Sequence, residues 1–260
     1  MVMPAGRVPI RIRIAGQVVQ DAADEVIAYL EGRNHGTQNR IQDFDHAAYL
    51  GRLATPLTIT KATINSANKL RAQMGRNYTG PGTPLTGWLQ PQQLTTPWNI
   101  LTTAHTFMNA DPSVCGGIYD DFCAIWYNFY PMHVQGRRNG ISTAKINKVL
   151  HQLVPDFFPI VDSKVLNLYY NMLFQGAARS ICARVVANRA NAGCANPFND
   201  GFLYEPIRQD MRNINFTAIR QQVSVMPCNN SLLIAGQPAN VWAAANLSDV
   251  RIFDMIAWQL

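Results

Sequence analysis

The stretch GISTAKINKVLHQLVPDFFPIVDSKVLNLYYNML, residues 140–173, decides how the rest of the chain is read. Within it Ile146, Val149, Leu150 and Leu153 recur at i, i+3, i+4 and i+7, the spacing that lines up side chains on one face of a helix. The spacing predicts a helix over about 142–153, seated on the core by that stripe, with Lys145 and Lys148 turned outward. Pro155 and Pro159 end it and force extended backbone ahead of each proline, and Phe157 and Phe158 are available as anchors. Asp162 then precedes a second apolar stripe, Val165, Leu166, Tyr169, Met172 and Leu173, which predicts a helix over 163–174 with Asp162 as its N-cap. A carboxylate there accepts from the free N–H groups of the first turn, and the helix dipole favours its negative charge.

The flanks of this stretch are basic. The whole chain carries 22 Lys and Arg against 16 Asp and Glu, a net charge of +6. Between His133 and Asn191 stand Arg137, Arg138, Lys145, Lys148, Lys164, Arg179, Arg184 and Arg189 against Asp156 and Asp162 alone, so this region contains the entire excess. Clustering of that kind fits a polyanionic partner better than an evenly solvated surface. Gly140 and Ser142 lie in the turn that feeds the first helix, where free N–H groups and the positive end of the helix dipole favour a phosphate. Arg137, Arg138 and Lys148 would add charge around that phosphate without reading sequence.

Taken in order, Gly140-Ile141, Lys145, Pro155, Phe158-Pro159 and Asp162 resemble the helix–hairpin–helix element and catalytic turn of the DNA glycosylase superfamily named for that element. Ser142 stands where the family has its second turn glycine, and Lys145 sits one residue late. The resemblance implies a mainly α, two-lobed glycosylase-like fold with a helix–hairpin–helix element and a small N-terminal β element. It implies an enzyme that binds double-stranded DNA, extrudes a nucleotide and hydrolyses the base–sugar bond to leave an abasic site. Asp162 would be the catalytic carboxylate, and Lys145 the amine nucleophile if the enzyme is a bifunctional lyase. No metal, cofactor or obligatory protein partner is implied. A non-catalytic DNA-binding module, in which Asp162 only caps its helix, remains the alternative. The divergent hairpin and the lack of a four-cysteine cluster turn the expectation away from housekeeping repair and toward defence against phage DNA with modified bases.

Aromatic residues crowd 119–130. Phe122, Trp126 and Phe129 share one helical stripe and read as core, whereas Trp126, Tyr127, Tyr130 and His133 are the candidates for a pocket that stacks an extruded base. At the N-terminus Ile10, Ile12 and Ile14 alternate with Arg11 and Arg13, the period of a strand, and Asp21 is placed to cap a helix over 21–30. Further helices are expected over 43–53, 60–74, 97–108, 179–191, 210–222 and 248–259, with loops over 32–42 and 192–206. The last of these helices has a core stripe of Val250, Phe253, Ile256 and Ala257 that leaves Asp254 and Trp258 unexplained. The Pro- and Gly-rich segment 75–97 divides the chain into an N-terminal lobe (1–96), a helical lobe with hairpin and catalytic turn (97–191) and C-terminal helices packing back on the core (192–260). No internal repeat is evident.

The five cysteines contain no CxxC pair or compact metal-ligand spacing and read as buried thiols in a reducing compartment. With no apolar run long enough for a membrane span and no secretory signal in the first residues, the expected location is the cytoplasm, away from any membrane.

Overall fold

The computed structural model describes residues 7–33, 45, 61–69, 106–122, 143–174, 187, 189–191, 193, 194 and 204–260. The architecture is mainly helical, with two small β-hairpins.

The first hairpin pairs β1 (Ile12–Ile14) with β2 (Gln17–Val19), Ile14 opposite Gln17. Ile12 and Ile14 are buried while Arg11 and Arg13 are exposed, as the alternation requires. The strand expected from the alternation is shorter than that alternation, because the chain turns at once through Ala15 and Gly16, both at positive φ (50° and 79°). Positive φ at both central residues is the hairpin turn whose twist matches that of its strands. The same tetrapeptide, Ile-Ala-Gly-Gln, returns at 234–237, where Ala235 and Gly236 repeat the turn (49° and 79°) between β3 (Leu233–Ile234) and β4 (Gln237–Pro238). A short hairpin followed by a helix thus occurs twice, which corrects the expectation of no repeat; four identical residues are too few to register as periodicity.

Helix α1 (Ala22–Glu31) begins where Asp21 accepts from the Ala23 N–H. It ends at Gly32, in the left-handed conformation (φ 67°), where Gly32 and Arg33 donate to Tyr29 and Ala28, a Schellman closure. Helix α2 (Lys61–Lys69) packs on α3 (Thr143–Leu153), and α4 (Ser163–Phe174) follows. The helix expected over 210–222 is instead two, α5 (Tyr204–Arg212) and α6 (Phe216–Val225), because Asn215 stops the first and caps the second through Ala218 N–H. Helix α5 also begins inside a segment read as loop; Pro206 sits in its first turn, where a missing N–H costs nothing. Helix α7 (Ala239–Asn246) was not expected, and α8 (Asp249–Gln259) follows with Ser248 as N-cap. Of the helix expected over 97–108, the described end is a 3₁₀ turn, Phe107–Asn109, entered from an extended Thr106.

One hydrophobic core takes in residues from both ends of the chain and its middle. Helix α1 packs on α6, α7 and α8, and α8 packs on α4 and α5. Phe107, Phe122, Phe157, Phe158 and Tyr204 form an aromatic cluster in which Phe122 lies 4.9 Å from Tyr204, 5.4 Å from Phe158 and 5.5 Å from Phe157, centroid to centroid. Among the described residues no helix is long and apolar enough to cross a membrane.

Cys115 and Cys194 form a disulfide with their Cα atoms 5.4 Å apart, which corrects the reading of five isolated thiols. The partners are 79 residues apart in sequence, and spacing alone cannot reveal such a pairing. Cys228 is a free, half-buried thiol.

Candidate functional site

Asp162 is partly exposed at the start of α4. Its Oδ1 accepts from the N–H groups of Lys164 (3.0 Å) and Val165 (3.3 Å), and Oδ2 accepts from the indole Nε1–H of Trp258 (2.8 Å). An ionised carboxylate has about four acceptor positions. Three hydrogen bonds therefore fix the side chain and, among the described residues, leave one position open. Trp258 is held in turn: its ring meets Tyr29 edge-on at 5.9 Å, and Lys164 Nζ donates to its carbonyl (3.1 Å) while lying 4.7 Å from the ring centre.

The backbone that delivers Asp162 is clamped by three buried side chains. The Phe158 carbonyl lies 2.6 Å from His151 Nδ1, the Ile160 N–H donates to Asp254 Oδ2 (2.9 Å), and the Val161 carbonyl accepts from Asn147 Nδ2 (3.4 Å). Asn147 is itself oriented by the Tyr204 hydroxyl, which donates to its Oδ1 (3.0 Å). His151 and Asn147 are one helical turn apart on α3, so the contacts at Phe158 and then Val161 show the chain running back along α3 toward its N-terminal end. Asp162 is thereby presented at the end of α3 that carries Lys145.

Behind the turn lies a buried polar network on α8. Asp254, 3% exposed, is pushed up to about 8, first by burial and further by Asp162 and Asp45, against the opposing pull of Arg251. Its Oδ1 has no hydrogen-bond partner among the described residues, as a carboxyl holding a proton at neutral pH tolerates better than a carboxylate does. Arg251 donates to Asp45 (2.6 and 3.2 Å) and to the Tyr29 hydroxyl (2.7 Å). Burial raises Asp45, and Arg251 offsets that rise.

Several expectations change here. Lys148 is 8% exposed rather than outward-facing. Lys145 is half-buried. Leu166, placed in the α4 core stripe, is 40% exposed, whereas Val165 and Tyr169 are buried. Arg137, Arg138, Gly140, Ser142, Trp126, Tyr127, Tyr130 and His133 lie outside the described residues.

Family models, curated proteins and solved structures give no match to this chain.

Sequence reasoning did not find Trp258, His151, Asn147 or the role of Asp254. The available signal was polar: Asp254 interrupts an apolar helix without a local partner, as a buried acid serving a distant segment does.

Proposed function

We propose that this chain is a DNA N-glycosylase that acts through Asp162. One observation supports the reading above the others: a partly exposed carboxylate, restrained by three hydrogen bonds yet keeping an open acceptor position, stands on a turn clamped by buried side chains. A fixed negative charge is what cleavage of a base–sugar bond calls for. As the C1′–N bond lengthens, its electron pair leaves with the base and the sugar acquires oxocarbenium character, which a preorganised carboxylate stabilises. Water then adds at C1′, with Asp162 positioned to take its proton. The turn before α3, with Arg137 and Arg138, would hold the duplex by its phosphates while the target nucleotide is extruded. Lys145 is on the same end of α3, so a lyase step through an imine remains chemically open to it.

The same three hydrogen bonds also favour a second reading, a non-catalytic DNA-binding module in which Asp162 is a cap and nothing more. Mass spectrometry of small molecules released from a panel of damaged, unmodified and phage DNAs separates the two. A glycosylase liberates a free base from at least one of them; release from none removes the enzyme reading.

A further inference from the structure

Nine arginines lie among the described residues, and six of them meet a carboxylate: Arg7 with Asp21, Arg33 with Asp24 and Glu31, Arg189 with Asp120, Arg208 with Glu205, Arg220 with Asp249, and Arg251 with Asp45. Arg11, Arg13 and Arg212 make no hydrogen bond or ion pair among the described residues. All three are exposed. Arg11 and Arg13 share the outer face of the first hairpin because Ile12 and Ile14 hold its inner face in the core. Helix α5 packs on β1 and holds the hairpin turn through Asp210, whose carboxylate accepts from the Ala15 N–H (2.7 Å), whereas Arg212, two positions on, faces away from Asp210 and favours the charged form of Asp111.

The hairpin is also tied to the candidate site. The Asp210 Oδ2 that holds Ala15 accepts from the Tyr169 hydroxyl as well (2.7 Å), and Tyr169 belongs to α4, the helix that Asp162 caps. Burial raises Asp210, and both of these donors pull it back toward its charged form. Residue 169 is seven positions beyond 162, about 10 Å of helix rise.

We propose that the first hairpin is a second contact surface for duplex DNA, with Arg11 and Arg13 gripping backbone phosphates. This rests on the duplex-binding part of the reading above. A strand pinned on its inner face and bearing two unpaired guanidiniums outside holds phosphate at little entropic cost, and arginine's planar fork suits phosphate oxygens. The contact fixes position along the duplex and carries no sequence information.

The test is the salt dependence of binding to a short fluorescent DNA duplex, measured by anisotropy, for the wild type and for Arg11→Ala/Arg13→Ala. Each phosphate contact adds about 0.9 to the log–log slope, so the double variant flattens it by about two. Arg11→Lys/Arg13→Lys restores most of the slope. A slope unaffected by the double alanine change overturns the hairpin contact while leaving the glycosylase reading intact. A slope change seen only on an RNA duplex of the same length overturns it too, by replacing the partner. A wild type that releases no base, with the slope still falling in the double variant, overturns the glycosylase reading and upholds the hairpin.

Discussion

Asp162 ends the short segment of chain that Asp254 holds at the Ile160 N–H, and their surroundings suit them to opposite work. Asp162 faces partly outward at a helix N-terminus, where backbone and indole N–H groups donate to its carboxylate. Asp254 lies wholly inside, where its Oδ2 accepts from the Ile160 N–H and stands 4.0 Å from His151 Nδ1, and burial pushes it up to about 8. The exposed acid can act on something outside the protein. The buried one can only hold the turn in place. The difference teaches that titration and placement must be read together: the carboxyl that burial perturbs holds the chain from inside, and the carboxylate proposed to act on a partner is the one with restrained geometry at the surface.

If the interior is built for rigidity, breaking it should cost stability first. Arg251→Met strips Asp45 of its guanidinium partner inside the core and removes the hydrogen bond to the Tyr29 hydroxyl. Leaving one member of a buried ion pair alone costs about 3–5 kcal/mol, which corresponds to a fall in Tm of roughly 10 °C for a chain of this size. A loss below about 1 kcal/mol by urea unfolding would mean that Asp45 is neutralised or solvated in some other way.

The effect expected from Asp254 depends on pH. In the unfolded chain this carboxyl returns to its ordinary value of 3.8, whereas in the folded state it titrates near 8. Between those values the folded protein keeps a proton that the unfolded chain has lost. Asp254 therefore contributes stability that is fully present below about pH 4 and lost as pH rises toward about 8, at up to about 1.4 kcal/mol per pH unit. Asp254→Asn keeps an acceptor for the Ile160 N–H and removes the proton. The difference in unfolding free energy between wild type and variant should accordingly change with pH across that window, the variant gaining relative to wild type as pH rises. Parallel pH profiles would place the Asp254 titration outside this range.

Much of the scaffold around the site is readable in residues 140–173, and the reason is local. A cap and a stripe are set by neighbours in sequence, so Asp162 at the head of α4, Asp21 at the head of α1 and Ser248 at the head of α8 could all be placed from spacing. The clamps on the turn could not. Asp254 meets Ile160 from 94 residues away and Trp258 meets Asp162 from 96, and periodicity reports which face of a helix is buried without naming what buries it. Lys148 shows the same limit from the other side: its position off the stripe suggested solvent, and tertiary packing buries it. The split between α5 and α6 was missed because Asn215 looks like any polar residue until its side chain is seen capping Ala218.

The most direct test compares single-turnover base release by the wild type, Asp162→Asn and Lys145→Ala, on whichever DNA yields a free base, with thermal unfolding of each protein alongside. Asparagine caps a helix about as well as aspartate but has one carbonyl oxygen, so it keeps the α4 cap and gives up the acceptor for Trp258 Nε1, a loss of about 1 kcal/mol. The account predicts a folded, DNA-binding Asp162→Asn variant whose base release falls at least about 10²-fold, and a milder loss for Lys145→Ala. An Asp162→Asn variant that releases base at the wild-type rate, or that loses only thermal stability, would show that Asp162 is a helix cap and contradict the account.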